Sequence, residues 1–277
     1  MTKGELINLI IAYYPEREAL IGWSKAVQQG VPLRIWDNTP GGCKFKEDFP
    51  DLIFLSKGVN LGVGPALREL LNELHQEGLW DKALYWDQDA QWTYQTYQWA
   101  LALHRKFPAE LDSNNKILLN LRAEVSGGNF TPGLVPTRLM MNNGMVLPVR
   151  QGMDLLSSFT PYFMECADYQ ICYRANLQGW KLMTAYGCPE LQHDPTRPSL
   201  VWSKGSRTYH KRIYPKGRSS QFLLNLGALA LDALRRRNIP YLRIFLRNIL
   251  THLAYRAWFN GLWYLRPSGR RTPNTEL

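Results

Sequence analysis

Residues 6–14 (LINLIIAYY) form a nearly unbroken apolar run, stopped by Pro15 and followed by a helical pattern over 16–29. A strand can be apolar on both faces only where both are covered, which is the condition of a parallel sheet with helices packed against it. Gly30, Val31 and Pro32 then turn the chain into a second short strand, 33–36, that ends at Asp37-Asn38. This opening predicts a βαβ unit, and in such sheets ligands collect beyond the carboxyl ends of the strands. Asp37 is therefore a candidate for hydrogen bonding a base or ribose; the alternative is an Asx turn ahead of Pro40-Gly41-Gly42.

A third strand is expected at 53–56, followed by Asn60-Leu61-Gly62-Val63-Gly64-Pro65. Pro65 suits a first helical position, and Leu67, Leu70, Leu71 and Leu74 give residues 66–76 one apolar face. Glycines before a helix let backbone amides approach an anion. Leu67 nevertheless occupies the third glycine position of a dinucleotide fingerprint, which argues against NAD binding.

The next apolar run, 84–90 (LYWDQDA), delivers Asp87 and Asp89 to the point where the strand pattern stops. An unpaired carboxylate is costly in a core, so the pair belongs at the strand exit, either coordinating a cation in a crevice or lying in a solvated turn. A helix rich in Trp, Tyr and Gln follows at 92–106, then a strand at 117–120 and a Gly- and Pro-rich loop at 126–136. Strand character resumes over 138–149 around Asn142-Asn143-Gly144, a tight-turn signal of the kind used in hairpins. Residues 162–174 gather Glu165, Asp168 and Arg174 among aromatics. With a helix beginning near Cys166, Asp168 sits close to its N-terminus, as a general base facing a cleft or as a capping acid. A final strand is expected at 181–185, with His193 in a Pro-bounded loop beyond it.

At 277 residues the chain can bury a substantial core, and its formal charge of +10 calls for an anionic partner. Cys43, Cys166, Cys172 and Cys188 form no CxxC pair, and no signal peptide opens the sequence, so reduced thiols in the cytosol are expected. From Trp202 onward basic residues interleave with aromatics, and between Ala233 and Thr275 there is no acidic residue, while arginines accumulate beside Leu, Ile, Phe, Trp and Tyr. This is the pattern of amphipathic helices on an anionic bilayer. A single-stranded nucleic-acid groove would carry less apolar surface, and an ordinary packed hairpin is the remaining alternative.

Taken in order, the IIAYYP strand, Asp37-Asn38, Asn60-Leu61-Gly62-Val63, Trp86-Asp87-Gln88-Asp89, Asn143-Gly144, Asp168 with Arg174 downstream, and Gly179-Trp180 resemble the family-two glycosyltransferases of GT-A fold. The likeness is greatest to the bacterial rhamnosyltransferase branch. It implies an α/β architecture, a Rossmann-like mixed sheet flanked by helices, forming a nucleotide-sugar-binding catalytic domain at 1–219. Residues 220–277 would follow as a basic amphipathic helical segment associating with the membrane.

On this resemblance Asp37, Asn60, Asp87 and Arg174 bind the nucleotide sugar, Asp89 and Asp87 hold Mg²⁺ or Mn²⁺, and Asp168 is the catalytic base of an inverting transfer. His193 falls where relatives supply a metal-binding histidine, against the alternative of a solvated loop residue. The implied donor is a dTDP- or UDP-linked sugar, with rhamnose favoured, and the acceptor is a bacterial surface glycan or a polyprenyl-diphosphate-linked oligosaccharide. No nucleic acid is expected, and the protein would work in the cytoplasm, peripherally on the inner face of the cell membrane. Gln170 stands where an acid is usual and Glu165 where Asp is common; Pro215 and Ser219 interrupt the Tyr-Tyr-x-x-Arg-Asn signature marked here by Tyr214 and Arg218. A non-catalytic module of the same fold, docking on anionic lipid or a partner protein, is the competing reading.

Overall fold

A computed structural model describes residues 4–108, 111–112, 114–123, 133–193, 199–204, 207–212 and 216–264, with side chains left aside for 192–216 and from 258 onward. The chain divides into two compact units, Met1–Pro195 and Thr196–Leu277.

The first unit begins with β1 (Gly4–Ala12), α1 (Arg17–Gln28), β2 (Leu33–Asp37), β3 (Phe54–Leu55), α2 (Val63–Glu77) and β4 (Trp80–Asp87). It continues through β5 (Ala90–Gln91), α3 (Tyr94–Lys106), β6 (Ile117–Ala123), β7 (Leu134–Pro136), β8 (Met145–Pro148), α4 (Val149–Ser157), α5 (Ala167–Leu177), β9 (Lys181–Cys188) and β10 (Gln192–His193). Eight of these strands build one mixed sheet in the order β3-β2-β1-β4-β8-β6-β9-β7.

β1 lies parallel to both β2 and β4, and every residue from Leu6 to Ala12 is buried. The unbroken apolar run therefore encodes a central strand covered on both faces. Asn8, the polar residue within it, is fully buried because Trp86 donates its indole N–H to the Asn8 Oδ1 at 2.8 Å and Asn8 Nδ2 donates to Pro32 O at 3.2 Å. Trp86, itself 0% exposed, stacks on Trp92 with ring centroids 6.0 Å apart. Truncating it to Ala would cost about 3–5 kcal/mol of packing.

Two expectations need correction. Asn142-Asn143-Gly144 does not close a hairpin: β7 pairs with β9, whereas β8 inserts antiparallel between β4 and β6. Gly144 takes φ 75° there so that the chain can enter the centre of the sheet, where a Cβ would crowd the Leu121 carbonyl oxygen at 2.8 Å. Nor is the strand beginning at Lys181 the last one. It runs on to Cys188, and β10 and a hairpin follow.

That hairpin, β11 (Ser199–Lys204) with β12 (Arg207–Arg212), opens the second unit, which continues as α6 (Lys216–Arg235) and α7 (Ile239–Tyr264). α6 begins earlier than composition alone indicates. Arg237 in the left-handed region (φ 55°) ends it, and Asn238 Oδ1 accepts the Tyr241 amide at 3.3 Å to start α7. The helices are tied by Ser219 Oγ and His252 Nε2, 2.7 Å apart in a buried setting, and by the Phe222 and His252 rings at 4.8 Å. No helix among the described residues is long and apolar enough to cross a membrane.

Candidate functional site

Because β1, β2 and β4 run parallel, their carboxyl ends lie along one edge of the sheet and release Tyr13-Tyr14, Asp37-Asn38 and Asp87-Gln88-Asp89 side by side. Two hydrogen bonds join these exits. The Tyr13 amide donates to Gln88 Oε1 at 2.6 Å, and the Tyr14 amide donates to Thr39 Oγ1 at 2.9 Å. Tyr13 and Tyr14 remain 44% and 59% exposed, so their rings face solvent instead of filling the core.

Asp37 is 2% exposed, and its carboxylate accepts the Thr39 amide at 2.9 Å and the Cys43 amide at 2.6 Å. That is the Asx-turn geometry, and it shapes the loop in which the carboxylate sits. Asn38 has the wider reach. Its Oδ1 accepts from Trp36 Nε1 and the Leu61 amide, its Nδ2 donates to Gly62 O, and its own amide donates to Ala12 O. Asn60 Oδ1 accepts the Gly62 amide at 2.8 Å, completing the turn before α2. Asn38 thus fixes the Asn60 loop against β1 and β2, a role that its place beside Asp37 did not reveal.

Asp87 closes β4. Its amide donates to Asn143 Oδ1 at 3.1 Å, and its Oδ1 accepts the Tyr85 hydroxyl at 2.9 Å. Burial first, and then the Asp87 charge, push the Tyr85 phenol well above its ordinary value, so it stays a donor. Asn143, 3% exposed, is itself held because Asn120 Nδ2 donates to its carbonyl at 2.8 Å. The residues read as a hairpin turn are therefore the clamp that aims Asp87.

Beyond Asp89 the chain forms β5, which pairs antiparallel with β10 in the register Ala90 opposite His193. Thr93 Oγ1 donates to Glu190 Oε2 at 2.6 Å and Thr96 Oγ1 donates to Pro189 O at 3.0 Å, reinforcing the ribbon. The backbone of His193 thus lies across from the residue following Asp89. Its side chain lies outside the described residues.

Asp168 occupies the first turn of α5, just after Cys166, whose φ of 67° makes a sharp entry to the helix. Burial pushes the Asp168 carboxyl up to about 7; the neighbouring charges of Asp87 and Glu165 add to this, and its hydrogen bond from the Tyr169 amide at 2.9 Å opposes it. The structure thereby brings Asp87 and Asp168, distant in sequence, within electrostatic reach of each other. A carboxyl that ionises near neutral pH is matched to taking a proton from a hydroxyl.

Arg122, at the end of β6 and a neighbour that sequence reasoning missed, lies within electrostatic reach of Asp168. Burial lowers its guanidinium, while the charges of Tyr186 and Asp168 act to hold the proton on it. Its only sequence signal is an arginine directly after the apolar run of a strand, at the ligand-bearing end of the sheet. Arg174 is placed differently. It lies in the last turn of α5, about 9 Å along the axis from Asp168 and on another side of the helix. Its guanidinium packs over the Tyr173 and Phe159 rings at 5.7 and 6.0 Å. Gln170, which departs from the acid of the resemblance, is a loop clasp: it accepts the Tyr162 amide at 2.8 Å and donates to Thr160 O at 3.1 Å.

Asp87, at the end of β4, and Asp89 beyond it offer hard carboxylate oxygens, a donor type that suits Mg²⁺ or Mn²⁺ completed by water and a phosphate. Among the described residues, no cluster of three His, Cys, Asp or Glu side chains converges.

No family model matches the chain, and no curated protein matches it. Among solved structures, GalNAc-T7 with UDP, GalNAc and Mn²⁺ superposes with a TM-score of 0.51 at 10% identity, over 66% of this chain and 42% of that one. TarS 1-349 from S. aureus gives 0.42 at 13% identity, over 66% and 60%. UTP-bound UGPase from Acinetobacter baumannii gives 0.42 at 9% identity, over 69% and 87%. The chain thus spans less than half the length of the GalNAc-T7 chain. The likeness is one of fold: a mixed sheet flanked by helices, of the GT-A-like kind.

Proposed function

We propose that this chain is a metal-dependent inverting glycosyltransferase that moves a sugar from a nucleoside diphosphate to a hydroxyl of a glycan or polyprenyl-diphosphate-linked acceptor. The observation that carries this reading is that the fold brings Asp168, on α5, within electrostatic reach of Asp87, at the exit of β4. Asp168 is raised to about 7 by burial and by Asp87, while Asp87 sits at the exit of β4 with Asp89 beyond it.

In the proposed reaction the acceptor oxygen forms a bond to the anomeric carbon from the face opposite the leaving group. The bond from that carbon to the phosphate oxygen breaks, and its electron pair leaves on the diphosphate. The acceptor proton passes to the Asp168 carboxylate. Attack and departure on opposite faces invert the anomeric centre, as in one-step hydrolysis with the hydroxyl replacing water. Asp87 and Asp89 would hold Mg²⁺ or Mn²⁺, which neutralises charge on the departing diphosphate. Tyr85 and Asn143 orient Asp87, and Asn38 supports the Asn60 loop for the nucleotide. His193 is proposed for the same metal on the sequence resemblance alone.

The bound UDP and Mn²⁺ of GalNAc-T7 are the ligand pair this mechanism requires. The sequence resemblance favours rhamnose from a dTDP- or UDP-linked donor, used at the cytosolic face of the membrane. Release of nucleoside diphosphate, measured with membrane extract as acceptor, tests the assignment. Wild type should require Mg²⁺ or Mn²⁺, Asp89→Ala should abolish the metal response, and Asp168→Asn should lose transfer. Full metal-dependent release by both variants would overturn the mechanism. Absence of metal-linked binding of UDP or dTDP in calorimetry would favour the non-catalytic module.

A further inference from the structure

The helical hairpin of the second unit carries two apolar faces, although a helix packed on one side needs only one. On α6, Phe222, Leu226, Leu229 and Ala233 are buried, while Leu224, Leu231 and Leu234 stand 68%, 47% and 55% exposed. On α7, Tyr241 and Phe245 are buried, while Leu246, Leu250 and Leu253 stand 45%, 66% and 45% exposed. Spacings of seven and three on α6, and four and three on α7, align each exposed set along one stripe.

Arginines border these stripes. Arg235 and Arg237 are exposed at the connection, and Arg243 and Arg247 are exposed beside Leu246 and Leu250. The one acid of the two helices, Asp232, is engaged with Arg236 at 3.1 Å. The occupant of this face must therefore satisfy leucine and arginine together. A nucleic acid would match the cations and leave the leucines in water. A second copy would cover the leucines but bring the same arginines against their own kind.

We infer that the exposed leucine stripes of α6 and α7 dock in the plane of an anionic lipid bilayer, the leucines entering the acyl boundary and the arginines pairing with headgroup phosphates. This deepens the proposed function by assigning the surface on which a lipid-linked acceptor is met, and it is read without turnover.

The test is co-sedimentation of the full chain with vesicles of phosphatidylcholine alone and of phosphatidylcholine mixed with phosphatidylglycerol. Wild type should bind the mixed vesicles, bind plain ones weakly, and release as salt rises. Leu231→Gln with Leu250→Gln should weaken binding at least tenfold. Arg235→Gln, Arg243→Gln and Arg247→Gln together should weaken it about a hundredfold. All five positions are exposed, and unchanged helical circular dichroism verifies that the variants fold. Binding indifferent to lipid charge overturns the inference, as does a wild-type dimer in light scattering that fails to bind vesicles and dissociates in the leucine variant. Vesicle binding without nucleotide release would leave the docking intact and defeat the transferase assignment, whereas release without vesicle binding would do the reverse.

Discussion

Replacing Asp168 with Asn should stabilise the protein at alkaline pH while removing its proposed activity. In the folded chain the Asp168 carboxyl is raised to about 7, chiefly by burial; in the unfolded chain it returns to about 4. Between those values the folded state holds a proton that the unfolded state has released. Stability therefore falls as pH rises through this window, and the loss is complete above about 7. A span of about three pH units corresponds to a ceiling of about 4 kcal/mol. Asp168 keeps a partly open edge, where water screens its charge, so a loss of about 2 kcal/mol is the working expectation. Asn cannot ionise, keeps an oxygen for the Tyr169 amide, and ends the repulsion with Asp87. Urea unfolding of both proteins at a series of pH values gives the difference directly, provided the slopes agree. The two should coincide near pH 4 by this reasoning and differ by about 2 kcal/mol near pH 8, with the Asp168→Asn variant the more stable. A difference that is constant with pH, or that favours wild type at alkaline pH, would refute it.

The same carboxyl sets the rate profile. Nucleotide release should climb about tenfold per pH unit below about 7 and level off above it, because only the ionised base accepts a proton; a profile flat from about pH 5 to 8 would exclude Asp168 from that role. Asn143→Ala should destabilise by about 1–3 kcal/mol by leaving the Asp87 amide without its acceptor, and should weaken Mn²⁺-linked nucleotide binding in calorimetry. Gly64→Ala should cost about 1–3 kcal/mol in urea unfolding, because its Cβ would meet the Tyr162 carbonyl oxygen and lie 2.7 Å from Pro161 Cβ. Unchanged midpoints in either variant would show that these contacts carry no weight.

Sequence reading succeeded where one local pattern had one cause. The apolar run of β1, the leucine face of α2 and the strand ending at Asp87 each announce burial through periodicity, and all three elements form. It failed where the deciding contact was distant. The Asn143-Gly144 dipeptide carries a hairpin signal, but β8 pairs instead with β4 and β6, partners far away in the chain. β5 and β10 are two residues long, too short to show any alternation, so their ribbon was invisible. Arg122 becomes informative only once β6 and α5 bring it beside Asp168. Conversely, Asp168 was ambiguous between cap and base because its sequence neighbours say nothing about the depth at which it lies.

The β5–β10 ribbon has a consequence in time as well as in space. Synthesis runs from the N-terminus, and Asp87 and Asp89 leave the ribosome long before the strand that covers their loop. Until the chain has been made past His193, Thr93 lacks Glu190 and Ala90 lacks its partner. A nascent chain can thus complete its central parallel strands while the acidic loop stays unclosed. The proposed chemistry would begin only when nearly the whole first unit has emerged, and the acidic loop would be among the last parts to set.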